Sequence, residues 1–120
     1  MIDYEKHARL FAAPTTFGTG AETSFGSILY NDTAKKKDAL RSKILQSDMV
    51  IIDQNLYSTA TPKIMAESGF DCLTHAIETM TSKKSSQYTD IFCKTAINLV
   101  FKNLPKLHAN INNINARNEM

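Results

Sequence analysis

Long hydrophobic runs are missing from this chain, and their absence sets the first boundary on its function. No apolar stretch approaches the roughly 18 residues of a membrane span. The opening Met1-Ile2-Asp3-Tyr4-Glu5-Lys6-His7 is too polar for a signal peptide. A membrane partner is therefore not expected, and the cytoplasm is the expected location. Cysteine is nearly absent. Cys72 and Cys93 sit in helical patterns without CxxC spacing, which points to buried reduced thiols rather than to a disulfide or a zinc site. An excess of one charge is lacking too: the formal net charge is +2, the signs are mixed, and the basic run Lys35-Lys36-Lys37 is short. That composition gives no electrostatic footprint for nucleic acid or an anionic membrane surface. No internal repeat is present.

What remains is 120 residues with 42% hydrophobic side chains, the length of one small domain with a moderate core. Leu10-Phe11-Ala12-Ala13, stopped by Pro14, suits the end of a buried strand. Thr15 to Ser24 combines two glycines with four threonines and a serine, a loop composition that offers backbone amides and hydroxyls. Phe25 to Tyr30 reads as a strand, Asn31-Asp32-Thr33 as a turn and Ala39 to Leu45 as a weaker strand, together a hairpin. Met49-Val50-Ile51-Ile52-Asp53 is apolar on both faces, the mark of a fully buried strand.

Helices follow. Thr61-Pro62 opens one, with the threonine as cap and the proline in the tolerated first turn. Gly69 ends it or breaks it before a second helix carrying Asp71 through Met80. Ser85 to Asp90 caps another, in which Ile91, Ala96, Leu99, Val100 and Leu104 approximate an apolar stripe and Pro105 lies near the end. Asn110 to Asn118 carries no strong pattern. Strands precede helices, and the composition shifts near Tyr57 to Thr61.

Three features have chemical potential, and each alone also fits a plain structural role. The threonine and glycine loop can approach a phosphate closely, although it is neither a GxGxxG nor a P-loop and also reads as an ordinary turn. Asp71 and His75 stand one helical turn apart on a shared face, where they can converge on a metal ion or simply hydrogen-bond to each other. Two donors are half a metal site, since at least three protein ligands are usual. Glu78 reads as a neighbour rather than a ligand. Lys37 can meet a phosphate or a ribose hydroxyl, or sit solvated in a basic turn.

The wording and order of these segments go further. Pro14-Thr15-Thr16-Phe17-Gly18-Thr19-Gly20-Ala21-Glu22 resembles the PTTxGTGSE segment of the iron-containing (group III) alcohol dehydrogenases. Gly69-Phe70-Asp71-Cys72-Leu73-Thr74-His75-Ala76-Ile77-Glu78 is similar to that family's GxDALTHAxE motif, and Leu45 to Leu56 to its LxPDxxIxDPxL stretch. The resemblance runs from about Leu10 to Met120.

It implies a dehydroquinate synthase-like fold, here incomplete: part of an α/β nucleotide-binding domain with a partial sheet and hairpin over 1–57, then the first helices of an all-α metal-binding domain over 58–120. It implies hydride transfer between a small alcohol or aldehyde and NAD or NADP, with a divalent metal, Fe2+ or Zn2+, polarising the oxygen. By position, Asp71 and His75 match the first two metal ligands, while Thr15, Thr16, Ser24, Lys37 and Leu56 match residues at the cofactor.

Departures are Ala21 for serine, Cys72 for alanine and Gln54-Asn55 for Pro-Glu. The family's upstream GGGS turn and two further histidine ligands have no counterpart, and His7 and His108 lack matching contexts. The chain is expected to be an internal piece with little activity alone, partnered by copies of itself or by a complementary fragment. A zinc-dependent glycerol dehydrogenase-type enzyme and a non-catalytic remnant or interaction module are the alternatives.

Overall fold

A computed structural model gives the fold of residues 8–120; Met1 to His7, including that histidine, lie outside the described residues. The chain divides into two compact units, one holding residues 8–14 and 20–52, the other Thr15–Thr19 and Asp53–Met120.

In the first unit a hairpin pairs β2 (Gly26–Asn31) with β3 (Lys36–Arg41), in antiparallel register from Gly26 opposite Arg41 to Asn31 opposite Lys36. The turn explains the register. The Asn31 side-chain oxygen accepts from the amides of Thr33 (3.1 Å) and Ala34 (2.9 Å), and Lys35 takes a left-handed φ of 51° to bring the chain back. The second strand therefore starts at Lys36, earlier than the expected Ala39 to Leu45. Lys43–Leu45 is instead a 3-10 turn, with the Ser42 hydroxyl accepting from the Ile44 amide. Apolar content placed that strand too late, because turn closure and not hydrophobicity fixes where an exposed hairpin starts.

A second, parallel pair joins β1 (Phe11–Ala12) to β4 (Met49–Val50), with Phe11 opposite Met49. Asp48 locks its start: its carboxylate accepts from the Leu10 amide at 2.7 Å and its own amide donates to the Leu10 carbonyl at 2.8 Å. The expected full burial of Met49 to Asp53 is not found. Ile52 is 66% exposed, and Met49 and Ile51 are exposed as well, because this two-stranded pair has no further strand beside it among the described residues.

The second unit is helical. The Thr61 hydroxyl accepts from the Ile64 amide at 3.2 Å and Pro62 takes the first position of α1 (Pro62–Thr81). Gly69 neither ends nor breaks this helix. A Cβ there would lie 2.5 Å from Leu104 Cδ1, so the glycine makes room for Leu104 of α2 (Gln87–Ala109) against α1. Ser86 and Thr89 exchange side-chain and backbone hydrogen bonds in a capping box at the start of α2.

Pro105 lies inside α2. The buried face of α2 is Cys93, Val100, Asn103, Leu104 and Leu107, which meets Met65, Gly69 and Ala76 of α1; Ile91, expected in the stripe, is 63% exposed. Past Asn110 a short α3 (Ile114–Glu119) forms where no pattern was legible, capped by the Asn113 side chain accepting from the Ala116 amide. Among the described residues, no helix is long and apolar enough to cross a membrane.

Candidate functional site

Asp71 and His75 project from the middle of α1, with His75 Nδ1 3.7 Å from Asp71 Oδ2 and both side chains about half exposed. Their i, i+4 spacing puts them on one face, and the rigid helix, held by its packing on α2, fixes that face. The Thr15–Thr19 segment lies against the same helix. A Cβ on Gly18 would stand 2.6 Å from the Ser68 carbonyl oxygen, so only glycine allows this approach, and it brings the Gly18 carbonyl to 3.4 Å from His75 Nδ1.

This contact suits a metal-binding histidine. The tautomer with its proton on Nδ1 donates to the carbonyl and leaves the Nε2 lone pair available, and metal-bound imidazoles are commonly oriented by such a backbone partner. A carboxylate and a free Nε2 lone pair are donor types that a divalent ion takes. Among the described residues no group of three or more His, Cys, Asp or Glu comes together, so the fit extends to two ligands. Next to Asp71, burial and then the neighbouring carboxylate push the Cys72 thiol above its ordinary value, which keeps it protonated at neutral pH.

The loop is pinned a second time by Phe17, whose ring meets Tyr57 edge-on with centroids 5.8 Å apart. That contact joins the segment carrying Thr15 and Thr16, both exposed, to the 3-10 turn Gln54–Tyr57 carrying Leu56, which is 39% exposed. The sequence pointed to the amides and hydroxyls of this loop; at Gly18 the contact with His75 is made by the carbonyl. Pattern reading did not single out Gly18, Phe17 and Tyr57, which hold this segment in place, and the glycine between Thr15-Thr16 and Thr19 was the available clue.

Ser24 and Lys37 belong to the first unit. The Ser24 hydroxyl accepts from the Gly26 amide at 2.9 Å, closing the turn into β2. Lys37 is exposed on β3 opposite Tyr30.

Solved oxidoreductases share this fold. Sulfoacetaldehyde reductase from Bifidobacterium kashiwanohense, solved in complex with NAD+, matches 95% of this chain with a TM-score of 0.91 and 38% identity, while the match covers 30% of that protein. The chain belongs to the iron-containing alcohol dehydrogenase family: residues 2–54 match the family's model for iron-containing alcohol dehydrogenase, and residues 65–120 match its C-terminal model. The expected architecture, a partial α/β portion with a hairpin followed by helices, is the one observed.

Among curated relatives, 1-propanol dehydrogenase PduQ of Salmonella typhimurium is 38% identical over 94 residues, covering 78% of this chain and 25% of its own. The probable alcohol dehydrogenase EutG of the same organism is 33% identical over 111 residues, covering 92% and 28%. The chain thus spans about a quarter of the length of these two curated relatives.

Proposed function

We propose that this chain serves a metal-dependent NAD(P) alcohol dehydrogenase, supplying two ligands of the metal and part of the cofactor contacts for hydride transfer between a small primary alcohol or aldehyde and the nicotinamide. The observation that carries this reading is the Asp71/His75 pair on α1, with the imidazole oriented by the Gly18 carbonyl, in a chain of this family. When bound, the divalent ion polarises the substrate oxygen, and the nicotinamide takes or gives the hydride.

The chain's own residues orient and bind. Gly18 holds the His75 ring, Phe17 and Tyr57 hold the loop, and the exposed Thr15 and Thr16 hydroxyls offer donors to a cofactor. Ser24, Lys37 and Leu56 complete the proposed cofactor contacts. The reading assigns 1–57 to nucleotide binding and 58–120 to metal binding, and takes iron as the metal and NAD as the cofactor, with zinc and NADP as alternatives. Copies of this chain or a complementary polypeptide are the proposed macromolecular partners, and the cytoplasm is the proposed location. A non-catalytic interaction module is the second reading, supported by the two-donor count among the described residues.

Titration calorimetry with Fe2+ under anaerobic conditions, repeated with Zn2+, tests the metal assignment. Weak binding is expected for the 120-residue chain, lost in both Asp71→Ala and His75→Ala; binding that both variants retain would sink it. The purified chain is also expected to show little oxidation of butanol or propanediol with NAD, and an ordinary turnover would refute the half-site reading.

A further inference from the structure

The Thr15–Thr19 segment is fastened at two neighbouring residues, each to a different part of its unit. At Gly18 the carbonyl stands 3.4 Å from His75 Nδ1, well beyond the roughly 2.9–3.0 Å of a strong N–H···O bond, and Asp71 Oδ2 lies 3.7 Å from the same nitrogen. One N–H thus faces two distant acceptors. At Phe17 the half-buried ring meets Tyr57, which is 6% exposed and whose carbonyl accepts from the Ala60 amide at 3.1 Å, just before α1. Tyr57 ends the 3-10 turn that carries Leu56. Thr15 and Thr16 extend, exposed, from the same two fastenings.

An Asp71 carboxylate turned to a divalent cation no longer competes for the His75 N–H. An imidazole that binds the cation through Nε2 makes its Nδ1–H a charge-assisted donor, roughly twice as strong as a neutral one. Both changes strengthen the hold of α1 on the Gly18 carbonyl. Through Phe17 and Tyr57 that hold reaches the threonines and the turn of Leu56.

We propose that Thr15–Thr19 is a strap that couples the two ligands of this site. A divalent cation on Asp71 and His75 orders Thr15, Thr16 and Leu56 and so raises affinity for a dinucleotide, and the dinucleotide raises cation affinity by the same factor. Ordering already supplied by one ligand no longer opposes the other. The inference rests on the functional reading above and adds regulation to it.

Calorimetry of the 120-residue chain measures Zn2+ affinity with and without saturating NAD, and NAD affinity with and without Zn2+. The two ratios are expected to be equal, at about fivefold or more. Phe17→Leu frees the strap from Tyr57, and Gly18→Ala, by its clash with Ser68, frees it from His75. In each variant the ratio should fall to about one, and the pair covers the case in which one of them fails to fold. NMR with Zn2+ alone gives an independent readout: the Thr15 and Thr16 amides should shift and exchange more slowly in the unaltered chain, and not in Phe17→Leu.

A ratio of one in the unaltered chain overturns the proposal, as do Thr15 and Thr16 amides that ignore bound Zn2+. A ratio that survives both variants overturns it too, since direct attraction between the cation and the pyrophosphate then links the ligands. Zn2+ and NAD that each bind without coupling defeat this inference and leave the functional reading standing. Zn2+ that binds without Asp71 and His75, or NAD that binds in neither condition, defeats the functional reading and this inference with it.

Discussion

Gly69 and Gly18 matter for the space that a missing side chain leaves. At Gly69, a methyl group would press on both Leu104 methyls, and Leu104 is buried between α1 and α2 with little room to turn. Overpacking of this kind costs about 1–3 kcal/mol, while replacing a mid-helix glycine by alanine returns about 1 kcal/mol. Gly69→Ala is therefore expected to lose about 1 kcal/mol in urea unfolding. Combined with Leu104→Ala, the loss should fall short of the sum of the two singles by at least about 0.5 kcal/mol, and strict additivity would refute the contact. At Gly18 the obstacle is the Ser68 backbone, which cannot swing aside. Gly18→Ala should push the loop off α1, free the His75 ring and lower zinc affinity by about 10–100-fold, as loss of an outer-shell partner does, while the far-ultraviolet dichroism of the helices stays unchanged. Unchanged affinity would show that the carbonyl does not orient the imidazole.

Helix ends are set by neighbouring residues, and here they were readable before the fold was known. Thr61-Pro62 and the Ser86 region both cap as the sequence implied, because a cap needs only a hydroxyl, two amides and a turn of chain. Ser86→Ala removes one half of the reciprocal pair with Thr89 and should cost about 1 kcal/mol, measured as a lower urea midpoint without a change in slope. An effect below about 0.3 kcal/mol would mean that solvent caps α2 as well as serine does. The elements that were misread depend on contacts that their own apolar pattern does not show. Gly69 looked like a helix end because its reason, Leu104, is 35 positions away (104 − 69). The start of β3 was misplaced because Asn31 and Lys35 decide it, not the apolar residues after it. The donor spacing of Asp71 and His75 was legible from helix periodicity alone, whereas the Gly18 carbonyl beside His75, from a residue 57 positions earlier, could not be.

The buried residues are distributed unevenly. Tyr57, Met65, Gly69, Ala76, Cys93, Val100, Asn103, Leu104, Leu107, Ala116 and Arg117 all lie in the unit formed by Thr15–Thr19 and Asp53–Met120, and no described residue of the other unit is buried to that degree. Its hairpin is held by ladder hydrogen bonds whose side chains face water, among them Ile28 at 66% and Tyr30 at 56% exposed. A two-stranded hairpin without a covered face is marginal in water, whereas α1 and α2 bury a contiguous seam against each other. Local opening free energies follow buried apolar contact, so the two units should not open together. In hydrogen exchange read by mass spectrometry, amides of β2 and β3 are expected to exchange at least about 100-fold faster than those in the centres of α1 and α2, a gap of about 2.7 kcal/mol. Equal protection across both would mean that the hairpin is stabilised by contacts beyond its own ladder. Protection that rises in β2 and β3 when NAD is added, with α2 unaffected, would support the assignment of Ser24 and Lys37 to the cofactor, because a ligand that binds only the folded hairpin lowers its opening by mass action.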